Sequence, residues 1–238
     1  RVVLKEAASV LEDEIMEKLG IFMRVYNAKP YLEQCISSVL SQSFSDFDFY
    51  IVDNGCTDGS GEMLDRYAIE DKRIKLTRYD RNNPDTMPFY CLIQEKDHPY
   101  IAVLDSDDWW EPDYLARLLT FMQENDLDIS MTGTINYYES VNGSRINRKL
   151  ERPVIMTQKQ YAERYPIYWG FSSTYWGNIM KAEIYKKINI GEACGKVPGY
   201  GQDTGLMLHY LEHCSRIGID NSALYHYRIR ESSVSYHY

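Results

Sequence analysis

Residues 105–108 read Asp105-Ser106-Asp107-Asp108, three carboxylates in four positions, directly after the apolar run Tyr100, Ile101, Ala102, Val103 and Leu104. That run of β-formers predicts a strand buried on both faces. Carboxylates clustered at the end of a buried strand repel one another, and a shared cation relieves the repulsion. Hard carboxylate oxygens suit Mn²⁺ or Mg²⁺, which commonly bind through a few carboxylates plus substrate phosphates. The D-x-D spacing of Asp105 and Asp107 therefore points to a metal and a phosphorylated ligand at a strand's carboxyl end, where open α/β sheets gather ligands. The competing reading is a solvated acidic turn, with Asp108 or Glu111 helping to start a helix after Pro112.

Three further groups bear on that chemistry. Phe49, Tyr50, Ile51 and Val52 form a second predicted strand ending in Asp53, with Asn54-Gly55 as its turn. Two acidic strand ends on one sheet edge suit a nucleotide, one acid accepting hydrogen bonds from base or ribose and the other serving a metal. Asp203 opens a helix marked by Leu206, Met207, Tyr210 and Leu211, just after the glycine-rich residues 195–201. It is either a helix cap or a general base presented on a mobile loop. Arg228 and Arg230 could clamp phosphate oxygens, or be solvated. Tyr168, Trp169, Phe171, Tyr175 and Trp176 read either as a hydrophobic cluster or as a stacking wall for a sugar.

The elements that must position these groups alternate. Residues 1–20 carry Val3, Leu4, Ala7, Val10, Leu11, Ile15, Met16 and Leu19 at helical spacing, with Gly20 as the expected stop. A strand over 21–25 leads to a helix from Pro30 with Leu32, Ile36, Val39 and Leu40 on its buried face. After the Asp53 strand, Asp58 or Ser60 caps a helix bearing Met63, Leu64 and Tyr67. Ile74, Leu76 and Tyr79 mark a third strand, and a short helix over 86–97 precedes the Tyr100 strand. Strand–helix alternation makes a parallel sheet with crossover helices. Further on come a helix with Leu115, Leu118, Leu119 and Met122, a strand over 129–134, a hairpin tip at Val141-Asn142-Gly143, a helix over 157–165, and extended segments at 217–219 and 223–227.

The chain has 238 residues, 44% of them hydrophobic and 21 of them tyrosine, enough for one sizeable domain. A formal net charge of −9 with no basic patch argues against nucleic acid as a partner. An acidic protein that binds a diphosphate must neutralise it locally, which again favours a divalent cation. The five cysteines are odd in number and scattered, so a reducing compartment is expected. No apolar run reaches membrane-spanning length. There is no signal peptide and no initial Met, so a piece of a longer polypeptide is expected. No P-loop, G-x-G-x-x-G, H-E-x-x-H or G-x-S-x-G pattern occurs, nor any internal repeat.

Taken in order, Val25-Tyr26-Asn27-Ala28 with Tyr31-Leu32, residues 51–60 (IVDNGCTDGS), and Leu104-Asp105-Ser106-Asp107-Asp108 with Pro112-Asp113 resemble family 2 glycosyltransferases of the GT-A fold. Weaker echoes follow at 176–181, 202–204 and 224–230, so the likeness spans roughly residues 20–235. It implies an α/β fold: a Rossmann-like, mixed, mostly parallel sheet flanked by helices in a single GT-A domain. Residues 1–19 would be a helix or linker, 20–135 the nucleotide-sugar half and 136–238 the acceptor half. It implies an inverting, Mn²⁺- or Mg²⁺-dependent transfer of a sugar from a nucleotide-diphosphate donor to an acceptor hydroxyl, in polysaccharide or glycoconjugate synthesis.

By motif match, Val25, Tyr26 and Asn27 would border the nucleotide, with Asn54 and Ser106 beside them. Asp53 would hold the base, Asp105 the ribose, Asp107 the metal, and Asp203 would be the catalytic base. Trp109, Trp176 and Gln202 are the candidate acceptor contacts. The acceptor would be a glycan or lipid-linked glycan, and the location cytoplasmic, at the inner face of a membrane. Peripheral membrane association and a homo-oligomer are compatible with this reading. Four features depart from the family pattern: Arg24 in place of Pro, Asn54 in place of a second Asp, Gln202 where Glu is common, and residues 82–93 without the usual Gly and Arg-Asn. Two other functions fit less closely. One is a catalytically degenerate module that binds nucleotide or glycan. The other is a sugar-phosphate nucleotidyltransferase, which would want a Gly-rich, Arg-containing loop where Tyr26-Asn27-Ala28-Lys29-Pro30 stands.

Overall fold

A computed structural model describes residues 18–195 and 201–230. The helix expected over 1–20 therefore lies almost wholly outside the described residues. Its expected stop, Gly20, is instead inside the first strand, where a Cβ would come within 2.8 Å of His98 Cδ2.

The N-terminal half follows the alternation expected. Strands β1 (Leu19–Val25), β2 (Phe47–Asp53), β3 (Ile74–Arg78) and β4 (Tyr100–Val103) are joined by helices α1 (Lys29–Leu40), α2 (Ser60–Glu70) and α3 (Met87–Glu95). The four strands pair in parallel in the order β3-β2-β1-β4. Their side chains divide by parity. Ile21, Met23, Val25, Ala102 and Leu104 join the core under α1, whereas Phe22, Ile101 and Val103 join a second core with Phe89, Tyr90 and Ile93 of α3. Two-sided burial is why these strands read as continuous apolar runs.

The sheet then continues without a break. Next in the chain are β5 (Trp109–Trp110), α4 (Tyr114–Glu124), β6 (Ile129–Tyr138), β7 (Gly143–Arg148) and β8 (Val154–Thr157). They are followed by α5 (Gln158–Glu163), α6 (Tyr165–Ser172), β9 (Asn178–Lys181), α7 (Ala182–Tyr185), α8 (Ile190–Ala193), α9 (Gln202–Glu212) and β10 (Arg216–Ile229). The full order is β3-β2-β1-β4-β9-β6-β10-β5, with β7 on β6 and β8 on β10. β9 runs antiparallel to both β4 and β6, and β10 runs parallel to β6. The boundary expected between residues 135 and 136 falls inside β6.

Two expectations change in detail. The segments 217–219 and 223–227 are one strand, β10, whose register against β6 slips between Ile219 and Ala223 and again before Tyr225. The helix over 157–165 is two helices, because Pro166 suits a first helical turn and begins a new one that runs on to Ser172.

Gly133 shows how closely β6 is held between β7 and β10. A Cβ there would lie 2.0 Å from the Arg148 carbonyl oxygen and 2.8 Å from that of Ser222. Both obstacles are backbone and cannot rotate away. Gly133→Ala is expected to cost about 1–3 kcal/mol of unfolding free energy, as other forced overpacking does. Urea denaturation of the two proteins measures it.

Candidate active site

The acidic loop begins where β4 ends, with the Leu104 N–H donating to the Phe22 carbonyl at 3.0 Å. Its three carboxylates point to three different partners. Asp108 turns inward and is 1% exposed. Its Oδ1 accepts the Arg228 backbone N–H at 2.8 Å and its Oδ2 accepts the Tyr225 hydroxyl at 2.7 Å. Asp105 Oδ1 accepts the Tyr175 hydroxyl at 3.2 Å, and its N–H donates to the Tyr225 oxygen at 3.3 Å. Asp107 faces the guanidinium of Arg230, while its carbonyl accepts Arg228 Nε at 2.8 Å. Ser106 is half-buried between them.

Burial sets the charge of this loop. It pushes the Asp105 carboxyl up to about 8, with the Asp107 and Asp203 charges adding to the shift and the Tyr175 hydrogen bond and Arg24 opposing it. Asp108 is likewise pushed well above the usual carboxylate range by burial, then by Asp107 and Asp105.

Asp203 lies in the first turn of α9, but the helix is capped by Gly201 in a left-handed conformation (φ 71°) with no side-chain cap bond. The Asp203 carboxylate is thus not a cap. Its Oδ1 accepts the Tyr90 hydroxyl of α3 at 2.9 Å. Burial raises the carboxyl to about 6, against the lowering effect of that hydrogen bond. The loop expected to carry it, residues 195–201, lies largely outside the described residues.

The strand ends beside the acidic loop form the other side. Val25 is buried in register with Asp53, and Tyr26 is 45% exposed. Asn27 is left-handed (φ 49°), a conformation Asn tolerates, and its Oδ1 accepts the Thr57 N–H at 2.9 Å. Asp53 accepts the Cys56 N–H at 2.9 Å and Arg78 Nε at 2.8 Å. Around it opens a concavity of ≈ 360 Å³ lined by Asp53, Cys56, Gly61, Arg78 and Asp80, among others. A second concavity of ≈ 890 Å³ runs along residues 78–84 and shares Arg78, Tyr79 and Asp80 with the first.

Several sequence-based assignments change here. Asn54 is fully buried and bonds to the 82–83 turn: its Nδ2 donates to Asn82 Oδ1 (2.7 Å) and to the Asn83 carbonyl (3.0 Å). It holds that turn instead of facing a nucleotide. Trp176 is 6% exposed and stacked with Tyr225 and Tyr227, so it packs the core and offers no platform to a sugar. Gln202 is buried and accepts the Thr86 hydroxyl. Arg228 is 7% exposed; its guanidinium bonds to the Asp107 carbonyl and to Gln34 Oε1 and lies over Tyr31, Trp109 and Tyr137. It braces the acidic loop and is not free for a phosphate. Arg230 reaches the rim but is paired with Asp107. Trp109 is partly exposed, stacked on His226 at 4.6 Å, and His226 Nε2 meets Glu111 Oε1 at 2.6 Å.

Tyr90, Tyr225 and Arg78 were given no role by the reading of the sequence, and Tyr175 was read only within an aromatic cluster or a stacking wall. Tyr90 and Tyr225 are buried aromatics, and the partners their hydroxyls reach are more than 100 residues away in the chain. All five cysteines are free. Among the described residues no helix is long and apolar enough to cross a membrane.

Acids thus stand at the carboxyl ends of the parallel strands β2 and β4, and Asp105 at the second of them feels the charge of a half-buried carboxylate from a later helix. The family described as Glycosyl transferase family 2 matches residues 21–188, more than half of the chain. The chain belongs to glycosyl transferase family 2. Glycosyltransferase GlyA of Streptococcus pneumoniae serotype 4 is 26% identical to it over 226 residues, covering 92% of this chain and 32% of GlyA. The uncharacterized glycosyltransferase EpsJ of Bacillus subtilis is 25% identical over 225 residues, covering 91% and 62%. The family 2 chain thus spans about a third of one relative and under two thirds of the other. S. aureus TarS 1–349 shares its fold with a TM-score of 0.72 at 16% identity, covering 89% of this chain and 60% of that one. The same fragment in complex with UDP-GlcNAc gives 0.72 at 18% identity, covering 91% and 60%. The fold is the GT-A arrangement expected from the residues.

Tyr225→Phe tests the acidic loop. It leaves the buried Asp108 without one of its two donors, and is expected to cost about 1–3 kcal/mol of stability. Denaturant unfolding at neutral pH checks it.

Proposed function

We propose that this family 2 domain transfers a sugar from a nucleotide-diphosphate donor to an acceptor hydroxyl with inversion, using Asp203 as the base. The observation that carries the proposal is Asp203 itself: a half-buried carboxylate, raised to about 6 by desolvation and hydrogen-bonded by Tyr90, whose charge is felt by Asp105. A base with that pKa is ionised at neutral pH and still basic enough to take a hydroxyl proton as the oxygen attacks. Asp105 and Asp53, at the carboxyl ends of β4 and β2 on either side of β1, would meet the ribose and the base. TarS has been crystallised with UDP and with UDP-GlcNAc, so uridine donors are the first to try.

The expected metal fits only in a limited way. Among the described residues no three His, Cys, Asp or Glu side chains gather to hold an ion unaided. The carboxylate oxygens are nevertheless of the right hardness, and Asp107 presents one at the rim, two residues from Asp105. Asp107 is the residue that would hold Mn²⁺ or Mg²⁺ together with donor phosphates. The chemistry such an ion supplies is neutralisation of the leaving diphosphate. The Asp107–Arg230 ion pair favours a second reading, in which the guanidinium meets the phosphates and the transfer proceeds without the ion. Chelation separates them: activity lost with EDTA and restored by Mn²⁺ supports the first, and activity indifferent to EDTA the second.

The acceptor is proposed to be a glycan or lipid-linked glycan, met by the cytoplasmic enzyme at the membrane's inner face. Asp203→Asn is expected to lower kcat by about 10²–10⁴-fold while leaving UDP affinity unchanged. The pH profile has a definite sign. Asp203 must lose its proton to act, and its carboxyl in the folded protein is raised, so kcat/KM falls as pH drops through about 6. Initial rates between pH 5 and 8 with a turned-over nucleotide sugar measure the limb. A wild-type protein that binds UDP yet turns over no nucleotide sugar with Mn²⁺ would instead support the degenerate binding module.

A further inference from the structure

The four departures from the family pattern meet in one place. Arg24 Nη2 donates to the Asn83 carbonyl at 2.6 Å. Asn54 bonds to Asn82 and Asn83 with its amide, and its Oδ1 accepts the Asn83 N–H at 3.2 Å. These contacts tie the start of the 82–90 segment to the ends of β1 and β2. The other end is tied to α9. Thr86 occupies the N-cap of α3, but its hydroxyl caps nothing there and donates to Gln202 Oε1. One turn later, Tyr90 donates to Asp203 Oδ1. Tyr90 is 2% exposed and stands edge-on to Tyr175 at 5.6 Å, while Tyr175 donates to Asp105.

We infer that Tyr90 is a positioning residue for Asp203, and that the 82–90 segment is a bracket setting the base's place relative to the donor-side strand ends. The inference rests on the proposed role of Asp203. A phenol fixed in the core has one direction in which to donate. It occupies one carboxylate oxygen and leaves the other for the acceptor's proton, which is the preorganisation a general base needs. The Thr86–Gln202 side-chain hydrogen bond ties the residue before Asp203 to the start of α3. Gln202 takes part as a neutral amide, where a second carboxylate would add a like charge next to Asp203.

The surroundings of Asp203 leave Tyr90 as its one direct regulator among the described residues. The groups that sense its charge are Tyr90 on α3, Tyr175 and Asp105 at the acidic loop, Tyr185 on α7 and Cys194 after α8. Burial pushes the tyrosines and the cysteine upward, so they stay neutral near pH 7. Asp105 is the remaining titrating neighbour.

The test removes only the hydroxyl. In Tyr90→Phe, kcat is expected to fall about tenfold or more with the donor KM within about twofold. The acidic limb of kcat/KM should move up by about one pH unit, the equivalent of one charge-assisted hydrogen bond. A readout independent of transfer is the carboxyl titration of protein labelled with ¹³C at the aspartate side chains. The Asp203 signal is the one missing in Asp203→Asn, and its midpoint should rise in Tyr90→Phe. Replacing Tyr90 by 3-fluorotyrosine keeps the shape, strengthens the donor and should move the midpoint down.

Should wild type turn over no nucleotide sugar while the carboxyl midpoints move in these opposite directions, the transferase reading fails and the Tyr90 contact stands. Midpoints unmoved in both variants overturn the inference. So does activity lost equally at every pH together with a lowered melting temperature, which marks a purely structural tyrosine.

Discussion

Three aspartates within four residues cannot face one another in a dry pocket, because two like charges a few ångströms apart destabilise each other strongly. The chain meets this constraint by giving each acid its own partner. Tyr225 and the Arg228 backbone take Asp108 inward, Tyr175 takes Asp105, and Arg230 meets Asp107 at the rim. The partners of Asp107 and Asp108 come from β10, the last described strand, and from Arg230 directly after it; β10 runs parallel to β6 and antiparallel to β5. The far end of the chain is thus needed to make the middle tolerable. Single hydrogen bonds of this kind contribute little when they could be made to water, but much when the alternative is a buried, unpaired carboxylate.

The frame of the domain was legible in the sequence because parallel strands buried on both faces advertise themselves. Ile51-Val52-Asp53 and Val103-Leu104-Asp105 each show an apolar run that stops at an acid, and both stop where the sheet ends. Asp203 was legible as a carboxylate at a helix start, and the left-handed Gly201 in the N-cap position removes the capping role from it. The partners were less visible. Tyr90 sits among Phe89 and Ile93 as any core aromatic would, and nothing local says that its hydroxyl ends 2.9 Å from Asp203. Arg228 and Trp176 misled for the opposite reason. Their types suit phosphate and sugar, but the register of β10 and the packing of Tyr225 and Tyr227 turned them inward.

The departures from the family pattern look independent along the chain and are contiguous in space. An arginine in β1, an asparagine after β2, a glutamine in α9 and an unusual segment before α3 are connected by hydrogen bonds through residues 82–90. Substituting Arg24 or Asn54 alone toward the common residue would remove donors that hold residues 82 and 83. Coupling of this sort is expected wherever side chains share one bonded network, and their effects should not add.

The sheet is hydrogen-bonded without interruption from β3 to β5. Bending such a ribbon across its strands would sever ladder bonds in the middle of the core, so the two sides of the cleft cannot swing like jaws. Ligand entry and release must be accommodated above a stiff floor, by short connecting segments and by side chains changing rotamer. Conformational change in this domain is then confined to those small parts, without the tumbling of one lobe against another.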